Sequence, residues 1–523
     1  MDTLIKQIIS DPSDQFSSDI DTFQNNYGTR TAFEELNKEQ LREKLWNTLF
    51  SYLSDTSLSS VHYKCLSTLR ILSRDKTDLN DLITDDRLYT ILDNAALKST
   101  DIDQISYNNV NIESLKLLCN LIFNSTKVQQ TLPNTPCLSC LIQRLAKYNN
   151  DIPHEVLLFY IRIIFLITAL NISMRQVVKV ELNGDECLIN ILQNISIQSE
   201  QNQSNILKEA DVTLACEVLK ALFNLYMQSS DTTEEKEKNE NLVSILYKLL
   251  LLKYEKEDDL QSNIANLLTV IPYNCYSPII PPLKEKGKHV FQDTDMSAIS
   301  VLLKFLDRRL NCKDDLIGNL TPIVTAFIRL IKTERLIRKY TRLQILPPLK
   351  DVMHRPEEGT TLRAKLCKLL TSPLTELRDV VAEFLFILCK ENVARMVKYT
   401  GYGNAAGMFA NKGLLGPNKG KSDYSSESED SETEEYLKHK EQINPVIGCY
   451  EHPKPNPLEG MTEEQKEYEA LQLVGLVDKL TREGLVQPCR IGDDGKPKAI
   501  EHVLELQEEL PKQQYGRRDS DSD

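Results

Sequence analysis

Cys137 and Cys140 stand at the spacing of a metal-binding or redox pair. Neither chemistry is completed by the chain: a tetrahedral metal needs a second Cys or His pair at finger spacing, and none follows. Chance loop cysteines are the plainer reading. The seven histidines are scattered, without an HExxH or a nucleophile–base neighbourhood. GYGNAAG, residues 401–407, approaches a dinucleotide-binding loop. Its third glycine comes one residue late, and an apolar helix rather than a strand precedes it. No GxxxxGK[ST] occurs, so the chain has no phosphate loop of its own. These patterns expect a non-catalytic binding protein with no cofactor.

Basic and amide side chains are spaced more suggestively. Arg70 and Arg74 are four residues apart and share one helix face, and Asn120 and Asn124 repeat that step. Arg335, Arg338 and Arg342 form a similar set, with Lys339 alongside. Arginine forks take carboxylates bidentately, although a solvated helix face would look the same. The run DYSSESEDSETEEY, residues 423–436, places Glu429 three residues after Ser426 and Glu434 three after Ser431. An acidophilic casein-type kinase selects that pattern, and each phosphate would add about −1.5 to −2 charge. An unmodified, solubilising tail is the other reading.

These residues sit on helices. Across the first 400 residues apolar positions recur with helical period and almost never alternate. LSTLRILS (66–73), LKLLCNLIFN (115–124), IIFLITALNI (163–172), LKALFNLYMQ (219–228), IANLLTVI (264–271), VTAFIRLI (324–331) and EFLFILCK (383–390) follow one another at about 42 to 60 residues. No such unit can bury its apolar face alone, whereas stacked units can. The expected fold is all-α, an armadillo/HEAT-like α-solenoid over residues 1–400. An apolar helix is expected over 381–397, followed by a glycine-rich junction and acidic linker over 401–461. Residues 418–435 have the composition of a disordered segment. Tail helices are expected in 462–523: one opened by a capping box at Thr462 and Gln465, carrying Tyr468, Leu471, Val474, Val477 and Leu480 near one face, and a last one over 499–510.

The net charge of −14 is unevenly placed. Residues 416–523 hold 14 Lys+Arg against 25 Asp+Glu, leaving only −3 on the first 415. That balance argues against nucleic-acid partners, which need a basic footprint. Most of the twelve cysteines lie in apolar helical runs, where a thiol acts as a small hydrophobe. There is no cleavable signal pattern, no apolar run near the ~20 residues of a membrane span, and no lipid-anchor motif. A cytoplasmic protein with reduced thiols and no direct membrane insertion is expected.

KYTGYGNAAGMFANKGLL, residues 398–415, resembles the synembryn family, cytosolic chaperones and nucleotide-exchange factors of heterotrimeric G-protein α subunits. INPV (443–446) and PNPLEGMTEEQKEYEA (455–470) follow in that family's order, and LRILSRDK (69–76) and LCNLIFNS (118–125) are fainter upstream echoes. The resemblance implies a groove that holds the C-terminal helix of the Gα GTPase domain. It assigns Arg70, Arg74, Asn120, Asn124, Arg335, Arg338 and Lys339 to that groove, and the tail helices to the client's switch and sheet surface; Phe165 and Phe223 are placed either to supply apolar contact in the groove or, equally well, to be core. It also implies phosphorylation in the segment of Ser426 and Ser431, and recruitment to the cell cortex through lipidated Gα. An import-type armadillo adaptor, whose groove repeats Trp and Asn pairs, is excluded by the single tryptophan, Trp46. A helical scaffold that binds another peptide without affecting nucleotide exchange remains the alternative.

Overall fold

The computed structural model describes residues 2–500 apart from 11–15, 39, 101–106, 149–150, 202–205, 228–232, 255–256, 284–288, 416–431, 453–456 and 493. It divides into two compact units, residues 1–306 and 307–523. The principal helices of the first are α1 (Asp2–Ser10), α2 (Phe16–Tyr27), α3 (Leu41–Ser54), α4 (Ser59–Leu72), α5 (Asp85–Asn94), α6 (Asn109–Asn124), α7 (Cys137–Ala146), α8 (His154–Leu170), α9 (Gly184–Gln201), α10 (Glu209–Tyr226), α11 (Thr233–Leu251) and α12 (Glu257–Leu268). A two-residue hairpin, β1 (Val290–Phe291) with β2 (Thr294–Asp295), follows.

These helices form two layers. The even-numbered ones stack in an unbroken series from α2 to α12, while α1 packs on α3, α3 on α5, α7 on α9 and α9 on α11. Pairs such as α1–α2, α3–α4, α5–α6 and α9–α10 join the layers. A helix between two neighbours must be apolar on more than one face. α8 meets that demand by burying Val156, Leu157, Tyr160, Ile161, Ile163, Ile164 and Ile167 together. The expected all-α solenoid is what the chain forms.

Stacking leaves helix ends needing partners, because the last four carbonyls of a helix have no intrahelical donor. At the end of α4, the buried Arg42 of α3 donates to the carbonyls of Leu72 (2.9 Å), Asp75 (2.6 Å) and Thr77 (2.6 Å). Asp75 accepts the N–H of Phe33 (2.8 Å) and of Thr77 (2.9 Å) and the amide of Asn37 (3.1 Å). Arg144 of α7 likewise donates to the carbonyl of Ala96, just beyond α5, and to the Tyr160 hydroxyl at 2.7 Å.

In the second unit, α13 (Leu316–Thr333) packs on α14 (Arg335–Ile345) and α15 (Thr375–Leu388). By length and hydropathy alone α13 could cross a bilayer, which the sequence reading did not expect. It buries Leu320, Ile323, Val324, Phe327, Leu330 and Ile331 within the protein. The single helix expected over 381–397 is two. α15 ends at Leu388, Lys390 and Glu391 adopt left-handed φ of 56° and 52°, and α16 (Val393–Thr400) starts from an Asn392 cap. The Glu391 N–H returns to the Phe386 carbonyl at 2.9 Å, a helix-ending turn built without glycine. The glycine-rich string itself is helical, as α17 (Tyr402–Asn411), and the capping box at Thr462 and Gln465 opens α18 (Glu463–Arg482). Two hairpins, β3 (Ile443–Asn444) with β4 (Cys449–Tyr450) and β5 (Cys489–Ile491) with β6 (Pro497–Ala499), flank α18 in sequence. Most of the last expected helix lies outside the described residues, and its first position, Ala499, closes β6.

All twelve cysteines are free, and ten are buried. Cys137 and Cys140 are core residues of α7, not loop residues, and no group of metal-ligating side chains occurs among the described residues. Burial pushes the thiols of Cys65, Cys119 and Cys367 up to about 12. A thiol reagent at pH 8 should therefore modify exposed Cys489 first, half-exposed Cys312 more slowly and the others only in denaturant. Rapid native labelling of Cys137 by mass spectrometry would contradict the packing described. A second expectation concerns Asp75. Burial raises its carboxyl, but the bonds from Thr77 and Phe33 and the charge of Arg42 outweigh burial and hold it below the usual value. Its contribution to stability is thus present above the unfolded value of about 3.9 and lost as pH falls through the lower folded value. Asp75→Asn should cost about 3 kcal/mol in urea unfolding, because Arg42 stays buried without its counter-charge.

Candidate functional site

Arg70, Arg74, Asn120 and Asn124 meet where α4 packs on α6, and all four are already engaged. Asn120 donates to the Arg70 carbonyl (3.1 Å) and the Ser73 hydroxyl (3.3 Å), and Asn124 to the Ser73 carbonyl (3.0 Å). Arg74 donates to the carbonyls of Gly28 and Arg30 beyond the end of α2. Burial, reinforced by the charge of Arg70, pulls its guanidinium below the ordinary value. Arg70 donates to Glu113, whose side chain is 2% exposed. The strings LSRDK and LCNLIFNS therefore form an inter-helix lock before they form a ligand site.

The same lock recurs where α8 packs on α10. Asn224 donates to the Phe165 carbonyl (3.2 Å) and the Thr168 hydroxyl (3.1 Å), matching Asn120 with Arg70 and Ser73. Glu217 accepts from Arg162 at 2.9 Å and lies 3.3 Å from Lys220, as Glu113 lies between Arg70 and Lys116. The sequence carries this repeat as ESLKLLCN at 113–120 and EVLKALFN at 217–224. Both copies read ExLKxLxN, placing Glu, Lys and Asn on one helix face at steps of three and four. The reading by apolar blocks overlooked this polar signal.

In consequence, four cations line up across α4, α6, α8 and α10 above buried carboxylates. Arg70, Lys116, Arg162 and Lys220 keep 27%, 30%, 35% and 39% of their side chains exposed. Aromatic faces fill the spaces between them. Lys116 and Arg162 lie 5.6 and 5.5 Å from the Phe159 ring centre, and Lys220 lies 5.9 Å from that of Phe165. Phe165 and Phe223 are half-buried. Glu155, 2.9 Å from Lys116, is an exposed acid on this face. Half-exposed cations beside aromatic rings suit a peptide that brings both carboxylates and apolar side chains.

Arg335, Arg338 and Lys339 lie on α14, in the second unit. Arg338 donates to the Ile331 carbonyl at 2.8 Å, capping the end of α13 as Asn120 caps α4. Ser426 and Ser431 lie outside the described residues. Just after them, Glu432 is 3.5 Å from Lys398 and 3.2 Å from Lys440, and these cations hold its carboxyl below the usual value. Lys398 also lies 4.2 Å from the Tyr436 ring centre, and Thr433 donates to the Leu349 carbonyl. α18 buries none of its residues and leaves Tyr468, Leu471, Leu473, Val474 and Leu476 more than half exposed.

Comparison with known proteins places the chain in one family. The Ric8 family profile, described as guanine nucleotide exchange factor synembryn, matches residues 65–496. Chaperone Ric-8A of Gallus gallus is 37% identical over 491 residues, covering 90% of this chain and 91% of that protein. Chaperone Ric-8A of Xenopus tropicalis is 36% identical over 518 residues, covering 95% of each. Chaperone Ric-8 of Drosophila melanogaster is 33% identical over 574 residues, covering 98% of this chain and 99% of its own. The chain belongs to the Ric8 family, the synembryn guanine nucleotide exchange factors.

Proposed function

We propose that this protein is a folding chaperone and guanine nucleotide exchange factor for G-protein α subunits, itself without catalytic chemistry. The observation that carries the reading is the line of half-exposed cations and aromatic rings on α4, α6, α8 and α10, in a chain whose relatives are named chaperones and whose family is described as guanine nucleotide exchange factors. That face takes the C-terminal helix of Gα, and the exposed apolar face of α18 takes a surface of its GTPase domain. Exchange follows from linkage: a protein that binds nucleotide-free Gα more tightly than GDP-bound Gα lowers GDP affinity by the same factor. GTP rebinding then releases the client, and the same grip on the open form serves nascent Gα. An acidophilic casein-type kinase modifies Ser426 and Ser431, adding charge to the segment that precedes Glu432 in sequence. The protein works in the cytoplasm and reaches the cell cortex through its client.

The packing decides which substitutions report on binding. Arg70 and Arg162 each hold a buried carboxylate, so replacing either damages the repeat as well as the surface. Arg70→Ala should cost about 3 kcal/mol in urea unfolding, because Glu113 would stay buried with only the more distant Lys116. Lys116 and Lys220 lie at the outer edge of each group. The pair Lys116→Ala and Lys220→Ala should slow stimulated GDP release from Gα by about tenfold, while the melting temperature stays within a few degrees of the parent. Release measured across several Gα classes also separates the readings. A scaffold that binds another peptide would leave GDP release unchanged in every class.

A further inference from the structure

α18 lies in sequence between two hairpins, and both are fastened to opposite ends of α17 through glycine. At the start of α17, the N–H groups of Tyr402 and Gly403 donate to the carbonyls of Pro445 (2.8 Å) and Val446 (2.9 Å) in the turn between β3 and β4. These are among the N–H groups a helix start leaves without internal partners. The approach is backbone on backbone: a β-carbon at Gly448 would lie 3.0 Å from the Gly401 Cα and 2.8 Å from Pro356 Cγ. Just past the other end, Leu415 donates its N–H to the Gly495 carbonyl at 3.2 Å. A β-carbon on Gly413 would overlap the Asp494 carbonyl oxygen, and one on Gly495 the carbonyl oxygen of Gly413. α17 has ten residues, so these anchors are about 15 Å apart along it.

We infer that Gly413 and Gly495 are positioning residues for client capture: they close a clamp that holds α18 as a strap tethered at both ends. The inference rests on the reading that α18 meets the GTPase domain. An unburied helix tethered at one end only samples a large volume, and docking it on a client then carries the full cost of ordering. Fastening the second end restricts that volume and raises the effective concentration of the apolar face at the client. The contact is made of two glycine backbones and admits no side chain, so it works as a latch that one methyl group opens.

The test uses the full-length protein and purified Gα. Gly413→Ala and Gly495→Ala should each weaken the complex with nucleotide-free Gα by about tenfold. Affinity for an isolated Gα C-terminal peptide should remain unchanged, since the strap does not take part in that binding. Gly460 has φ of 93° with nothing near its β-position, so Gly460→Ala adds the left-handed strain without the overlap and should bind as the parent does. Leu415→Pro removes the bond to Gly495 without adding a β-carbon to the latch, and should weaken the complex in the same way. Parent-like Gα affinity in Gly413→Ala and Gly495→Ala would overturn the clamp, as would an equal loss in Gly460→Ala. Leu471→Asp with Val474→Asp tests the underlying reading separately: a complex unaffected by them removes α18 from the client interface, and the clamp's purpose with it.

Discussion

Buried carbonyls at helix ends are the constraint from which this structure follows. Stacking helices side by side hides the last turn of each from water, and a buried carbonyl without a donor costs about 1–3 kcal/mol. Each repeat therefore reaches into its neighbour. Arg42 caps the end of α4 from one side and Asn120 and Asn124 from the other; Arg74 reaches the end of α2, and Arg338 the end of α13. Apolar contact would tolerate small slips between helices, but these bonds fix rotation and register. They are why a row of separate helices can present a line of side chains in defined places.

Register in turn produces the line of cations on α4, α6, α8 and α10. Glu113 and Glu217 are buried because the asparagine locks bring the neighbouring helices close, and a buried carboxylate holds cations against it. Each draws an arginine from the preceding even helix and a lysine from its own next turn. The acid is hidden and the cations are half-exposed, so outward charge is basic on a chain whose formal charge is −14. That separation lets an acidic chain carry a line of half-exposed cations.

Fold class was legible because helical periodicity is a local property, and so was the capping box of α18. The break after α15 was not: Lys390 and Glu391 take left-handed conformations that neither residue type favours, and only Asn392 hinted at a fresh start. Asn120 and Arg70 stand out by their spacing, but sequence does not show that their first partners lie on adjacent helices. Partner choice depends on packing between residues some fifty apart. The ExLKxLxN repeat could have revealed it, since three polar residues recurring around the same apolar steps mark positions used twice in one way.

Glycine spacing in the string at 401–413 shows how far such reading can go. Read as a loop, those glycines suggest phosphate or a hand-over between kinds of structure; folded, the string is a helix with a docking point at either end. Gly401 faces the turn of one hairpin and Gly413 that of another, and each contact pairs glycine with glycine, 401 with 448 and 413 with 495. Two backbones can approach so closely only where neither carries a side chain. Positions 47 and 82 residues apart thus depend on one another without sharing a chemical motif. A helix lying in sequence between those anchors can bury none of its residues and still be tethered at both ends, which is the condition the proposed capture of a client requires.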